Sequence, residues 1–337
     1  MNKLMEALTK TRGVPPEEET TEKTSSQTPD TASPRCSWDE YDGRYVCIED
    51  TQTKPVVGSF GSVTRGVMYD KQQKEVLHVA IKRCFDPRDQ VIETAVACWL
   101  TELMLLVSWA TMSRRMCFPL YVGLNNTVIY PFMRGGVLFS RLKHVSRSIR
   151  RYGVKTHEKR VKVLWMLRTW VLDVARTLAY LHDLGAAHGD IKSNNIMFQT
   201  PEDNIPVLID FGSCGTADEH IDGTTLMMEE RRRMPYYANS SRPTRKQDDL
   251  YGVAAVTMEV LCVWVMQDDE DLHDCIHDAA SCSCEDPVWW KIKIAHLCKA
   301  CTASHDLGGD DMISMHTFAN ALECILDGAE AETLTKS

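Results

Sequence analysis

His188-Gly189-Asp190-Ile191-Lys192-Ser193-Asn194-Asn195, followed by Asp210-Phe211-Gly212, decides how this chain reads. Asp190 and Asn195 stand five residues apart, and a second carboxylate follows at Asp210. Transfer of a γ-phosphoryl group needs a carboxylate to orient the attacking hydroxyl and take its proton, a cation at the γ-phosphate, and oxygen ligands for Mg²⁺. Asp190, Lys192, and the pair Asn195 and Asp210 fit those roles in that order. Any one of them alone is more often a turn or cap residue. Order and spacing together carry the signal.

Working outward, residues 1–40 are rich in Thr, Ser, Glu and Pro, too poor in apolar surface to offset ordering entropy, and predict a disordered tail. From Tyr45 the pattern turns to short β-like runs at 54–60, 62–69 and 77–83, then a helical run at 90–106, then strands at 118–122 and 127–132. Beyond Gly135-Gly136 the chain reads as mostly helical, with 162–184 amphipathic and 248–266 apolar. A β-rich part joined through a glycine-containing hinge to a helical part predicts an α+β, two-lobed fold with a cleft between the lobes. No repeat at solenoid periods is visible.

A length of 337 residues with 44% hydrophobic content suits a large core, in one two-lobed domain or two ordinary ones. The 13 cysteines follow no apolar leader, so they read as reduced thiols in a cytoplasmic or nuclear protein. The longest apolar stretch, 250–266, is interrupted by Glu259 and too short to span a bilayer, so no membrane role is expected. A net charge of −9 argues against nucleic-acid binding over the whole surface. Residues 141–162 are nonetheless basic, opposed only by Glu158, and 268–286 are acidic. Such runs are usually solvated faces; the sharper reading makes Arg147, Arg150, Arg151, Lys159 and Arg160 a docking surface for an acidic partner. Cys282, Cys284, Cys298 and Cys301, with His296 and His305 near, suggest a zinc centre on paper. The spacing of Cys298 and Cys301 suits a buried helix better.

These motifs together resemble the eukaryotic-type protein kinase superfamily, from about Tyr45 to Leu326. The resemblance implies a protein kinase domain over 41–327, with an N-lobe of about 41–131 carrying one main helix, a hinge at 131–136 and a larger helical C-lobe at 137–327. Residues 328–337 would be a flexible tail. Val79-Ala80-Ile81-Lys82 looks like the third-strand motif whose lysine binds the α- and β-phosphates of ATP. Its glutamate partner would be Glu102, with Glu93 the alternative nearer the helix start. The stretch from Val56 through Val57, Gly58, Ser59, Phe60 and Gly61 to Val63 resembles the glycine loop, with Val56 replacing its first glycine. Tyr130 falls at the gatekeeper position. Pro131 and Met133 would meet adenine through their backbone, and Val63, Ala80 and Met197 would wall the base. Asp249 fits the helix aspartate that holds the catalytic-loop backbone. The implied cofactors are ATP and Mg²⁺, and the implied substrates are Ser/Thr hydroxyls of proteins.

The departures are informative. The arginine of H-R-D is Gly189, and A-P-E reads Ala238-Asn239-Ser240. No arginine follows Arg245 to pair with a glutamate there, so both ends of that buried ion pair are absent. Gly189 also resembles aminoglycoside- and choline-type small-molecule kinases, whereas Lys192 and the full D-F-G resemble Ser/Thr protein kinases. A nucleotide-binding pseudokinase scaffold is the third reading. The compact, divergent second lobe suggests a kinase encoded by a large DNA virus of herpesvirus-like type.

Overall fold

The protein is described by a computed structural model over residues 35–37, 45–50, 53–58, 61–70, 72, 74–106, 114–122, 127–153, 155–218, 244–263, 288–307 and 313–335. The chain divides into two compact units, residues 1–109 with 117–132, and residues 110–116 with 133–337. In the first, strands β1 (Arg35–Ser37), β2 (Tyr45–Glu49), β4 (Gly61–Asp70), β5 (Glu75–Cys84), β7 (Val128–Pro131) and β6 (Tyr121–Val122) lie side by side in that order, with β3 (Val56–Val57) also paired to β4. Every pairing is antiparallel. A two-residue periodicity sorts β5. Val79 and Ile81 are fully buried beside Ile129 on one face, with the half-buried Met68 packed against them, which leaves Ala80 and Lys82 for the other. Val63 stands opposite Lys82, and Tyr130 opposite Ala80, so these four share that second face. Helix α1 (Pro87–Leu106) packs against β5, β6 and β7 through Val96, Ala97 and Leu100.

The second unit contains α2 (Leu138–Tyr152), which ends at Gly153 in the left-handed region, and α3 (Thr156–Met166). Helix α3 runs through one π-turn (Leu167–Val171) into α4 (Leu172–Asp183). After the short strands β8 (Ala186–Ala187), β9 (Ile196–Met197), β10 (Val207–Leu208) and β11 (Gly215–Thr216) come α5 (Arg245–Leu261), α6 (Trp289–Leu307) and α7 (Met315–Thr335). Helix α5 packs on α6, and α7 on α4 and α6, around Trp290, Phe318, Leu322 and Leu326. Helix α5 begins earlier than its apolar pattern, where the Gln247 side chain turns back to accept the backbone N–H of Thr244. The π-turn splits what reads in sequence as one amphipathic helix, since apolar spacing does not report a change of hydrogen-bond register.

Three expectations are corrected. Residues 35–37, inside the segment predicted to be disordered, pair with β2 in register. Residues 328–335, predicted as a flexible tail, continue α7; Ala329 is fully buried and Glu330 pairs with Arg168. Small and charged residues there read as a tail only until the buried stripe is seen. Arg141, counted in the basic run, is an internal staple. Its guanidinium stacks 3.6 Å from the centroid of Phe198 and donates to the carbonyls of Gly135, Thr200, Pro201 and Asp203. Zinc finds no support among the described residues, where no three His, Cys, Asp or Glu side chains gather. Burial pushes the Cys301 thiol up to about 12 and Cys298 higher still. Cys282 and Cys284 lie outside the described residues. No described helix is long and apolar enough to cross a membrane.

Arg141→Ala should lower the urea unfolding free energy by about 1–3 kcal/mol, because four carbonyls lose a shared donor fork. Arg141→Lys should recover less than half of that, since a point charge reproduces neither the fork nor the stacking.

Candidate active site

In the second unit two short ribbons bracket the loop 188–195. Strand β8 enters it paired with β11, and β9 leaves it paired with β10. The base of the loop is held from below by Asp249 on α5, whose carboxylate is fully buried. One oxygen accepts from the backbone N–H of Gly189 at 2.7 Å, the other from that of His188 at 2.8 Å and from His182 Nε2 at 2.9 Å. Three donors to one carboxylate compensate the desolvation that would otherwise make a buried charge costly. Gly189 is required where it stands. Its φ is +76°, and an added Cβ would lie 2.5 Å from the carbonyl oxygen of Ser213.

His188 is fully buried, its ring 4.6 Å from that of Phe211. Nε2 meets the carbonyl of Ile209 at 2.9 Å, and Nδ1 meets the N–H of Asp190 at 3.3 Å. A carbonyl can only accept and an N–H can only donate, so the ring is a neutral Nε2–H tautomer. Ile209 is gripped at its other end too, donating to the carbonyl of Asn195 at 3.0 Å. Asp210 follows directly with φ 62° and ψ 64°, alone among the described non-glycine residues in having positive φ. Aspartate tolerates that region better than most residues, and the two-sided hold on Ile209 supports the strain of roughly 1–3 kcal/mol. The carboxylate of Asp210, an exposed residue, and the amide oxygen of Asn195 are both hard donors of the kind that suits Mg²⁺.

Asn195 spends its amide N–H₂ on Asp190, at 2.9 Å from the backbone carbonyl and 2.8 Å from Oδ2. Lys192 Nζ is 2.8 Å from the same Oδ2. Both holds fall on one oxygen, which leaves Asp190 Oδ1 positioned to accept from an incoming group. Asp190, Lys192 and Asn195, predicted from spacing, are thus brought together.

The first unit carries the other predicted residues. Lys82 Nζ lies 2.8 Å from Glu93 Oε2, and Tyr130 donates its hydroxyl to Glu93 Oε1 at 2.8 Å. The expected partner, Glu102, is corrected to Glu93. Glu93, Val96, Ala97 and Leu100 form one buried helical stripe, and position 102 lies about 180° round the helix from 93. The spacing of 93, 96, 97 and 100 is visible in the sequence, but that this face meets Lys82 is decided by packing. In the glycine loop, Gly58 donates to the carbonyl of Gly61 at 2.9 Å, closing a turn beside Val57; Ser59 and Phe60 lie outside the described residues. Gly61 faces the carbonyl of Arg83, which a Cβ would approach to 2.3 Å. Val63 and Ala80 share the Lys82 face, and Pro131 ends β7. Met133 is buried in the second unit, where the half-buried Met197 bridges to Val137.

Sequence reasoning missed Glu259 on α5. Its Oε2 is buried without a hydrogen-bond partner, while Ser193 of the loop donates to the carboxyl. Burial pushes this carboxyl up to about 7, against the Ser193 bond, which lowers it.

The profile of the protein kinase domain matches residues 57–281. A calcium/calmodulin-dependent protein kinase of Emericella nidulans is 34% identical over 101 residues, which cover 29% of this chain and 24% of that protein. A probable myosin light chain kinase of Dictyostelium discoideum is 29% identical over 116 residues, or 33% of this chain and 37% of its own. A glycogen synthase kinase-3 homolog of Saccharomyces cerevisiae is 24% identical over 208 residues, covering 60% and 52%. The chain spans about a quarter to a half of these curated relatives.

Glu259 makes stability depend on pH. Its folded pKa lies above the ordinary 4.5, so its contribution is fully present below pH 4.5 and is lost as pH rises through about 7. Glu259→Gln should shrink the fall in unfolding free energy between pH 5 and 8 by on the order of 1–3 kcal/mol. Chemical denaturation at the two pH values measures it, and an unchanged fall would refute the assignment.

Proposed function

The chain belongs to the protein kinase domain family, and we propose that it transfers the γ-phosphoryl group of ATP to Ser or Thr hydroxyls of proteins. The observation carrying this reading is the fixing of Asp190 through one oxygen by Lys192 and Asn195, with the other oxygen left to orient a hydroxyl and accept its proton. Lys192 then lies within reach of the charge that builds on the transferring group. Lys82, paired to Glu93, serves the α- and β-phosphates, and Tyr130 holds that glutamate from its second oxygen. Asn195 and Asp210 would hold Mg²⁺, which when bound neutralises phosphate charge. Val57, Gly58, Ser59, Phe60, Gly61, Val63, Ala80, Pro131, Met133 and Met197 are assigned to the nucleotide. The kinase names of the relatives support a protein substrate. The cytoplasm or nucleus, with reduced thiols, suits such a protein.

Asp190→Asn should keep ATP affinity within about threefold while lowering kcat by about 10²–10⁴, the usual worth of a positioned base. Asp210→Ala should instead weaken the Mg²⁺ dependence of nucleotide binding. Transfer to aminoglycoside or choline-like alcohols and to no peptide would favour the small-molecule reading, on which Gly189 bears. ATP binding without any transfer would favour a scaffold.

For the basic surface we propose an acidic substrate or partner, with Arg147 and Arg151 exposed on α2 and Lys159 and Arg160 on α3 half-exposed. Charge reversal at these four should reduce association rate and flatten its salt dependence, with turnover on short neutral peptides unchanged. A salt dependence like that of the unaltered chain would return the segment to a solvated face.

A further inference from the structure

Arg245 is the last arginine of the chain and the first residue of α5, yet it is almost completely buried. A guanidinium keeps its charge under all ordinary conditions, so burying one requires fixed partners. Nη1 donates to the carbonyl of Ser213 at 2.6 Å. The same nitrogen lies 3.2 Å from where a side chain at position 189 would begin. The stem and Nε lie against Gly215, where a Cβ would come within 2.4 Å of Nε and 2.7 Å of Cδ. Both glycines therefore leave room for one arginine entering from α5.

The neighbouring contacts point the same way. Gly215 pairs with Ala187 at the mouth of the catalytic loop. Lys246 donates its backbone N–H to the carbonyl of Ala217 at 3.1 Å, and its side chain pairs with Asp218. One turn along the helix, Asp249 holds the N–H groups of His188 and Gly189. Residues four apart on a helix sit on one face. That face grips the loop carrying Asp190 through a carboxylate, and the segment just after Asp210 through a guanidinium.

We propose that Arg245 is a positioning residue for phosphoryl transfer. The cation missing at 189 is supplied from 245, and it holds backbone 213–215 behind Asp210 in register with the base of the catalytic loop. The inference rests on the kinase reading for its catalytic consequence. The hold itself is built into the fold through the Ser213 carbonyl and the space left by Gly189 and Gly215.

The test uses the full chain with Arg245→Ala and Arg245→Lys. Arg245→Ala should lower kcat on a Ser/Thr peptide by about 10–100-fold, the scale of a small misplacement at a reacting centre, with ATP affinity within about threefold. Methylguanidinium at tens of millimolar, entering the vacated space, should restore several-fold of that loss and leave the unaltered chain unaffected. A lysine lacks the fork and should fall between. Amide hydrogen exchange at 213–217, which needs no turnover, should accelerate in Arg245→Ala. Unchanged exchange and unchanged kcat would overturn the role of Arg245, as would a loss that neither methylguanidinium nor lysine relieves. Should Arg245→Ala fail to fold, Arg245→Lys decides: reduced kcat at unchanged ATP affinity supports the proposal, and full kcat overturns it. An unaltered chain that phosphorylates nothing, while exchange at 213–217 still responds to Arg245→Ala, would count against the kinase reading alone.

Discussion

A single buried carboxylate, Asp249, organises the second unit. Its three donors come from α4 through His182 and from the catalytic loop through two backbone N–H groups. Remove the charge and the loop loses its floor; keep the charge without the donors and the desolvation penalty returns, of several kcal/mol for an isolated buried ion. Each side therefore stabilises the other, and the loop geometry is tied to the packing of the helices around α5.

From that floor the constraint passes to the turn at Asp210 through backbone contacts. His188, fixed by Asp249 at its own N–H, accepts the N–H of Asp190 on one ring nitrogen and reaches the carbonyl of Ile209 with the other. Asn195 holds the opposite end of Ile209 while its side chain holds Asp190. The strained backbone at Asp210 is thus over-determined by its neighbours, the condition under which left-handed residues persist at functional sites. Asp190 and the backbone beside Asp210 are thus joined by one continuous run of hydrogen bonds through His188, Ile209 and Asn195.

The first unit solves a similar problem with fewer parts. Lys82 is a half-buried cation on a strand, and Glu93 is a buried carboxylate on a helix. Their ion pair satisfies both, and the Tyr130 hydroxyl takes the remaining oxygen. The carboxylate is held at two points and cannot swivel about its stem. Arg141 plays a comparable part in the second unit, where one planar fork gathers the carbonyls of a loop that follows β9.

Asp190, Lys192, Asn195 and Asp210 were legible in the amino-acid sequence through their order and spacing, and Lys82 and Asp249 only through the family resemblance that their motifs carry. The α+β division was legible because two-residue and 3.6-residue apolar periods are local properties. What the tertiary structure decided concerns pairs far apart in sequence. Nothing local ties Glu93 to both Lys82 and Tyr130, directs Arg141 inward from a basic run, or brings Arg245 beside Gly189 and Gly215. Charged residues on a helix read alike in sequence whether they meet water or a buried partner. Which of them is buried depends on the rotation of the helix against what it packs on, and only the assembled core sets that rotation.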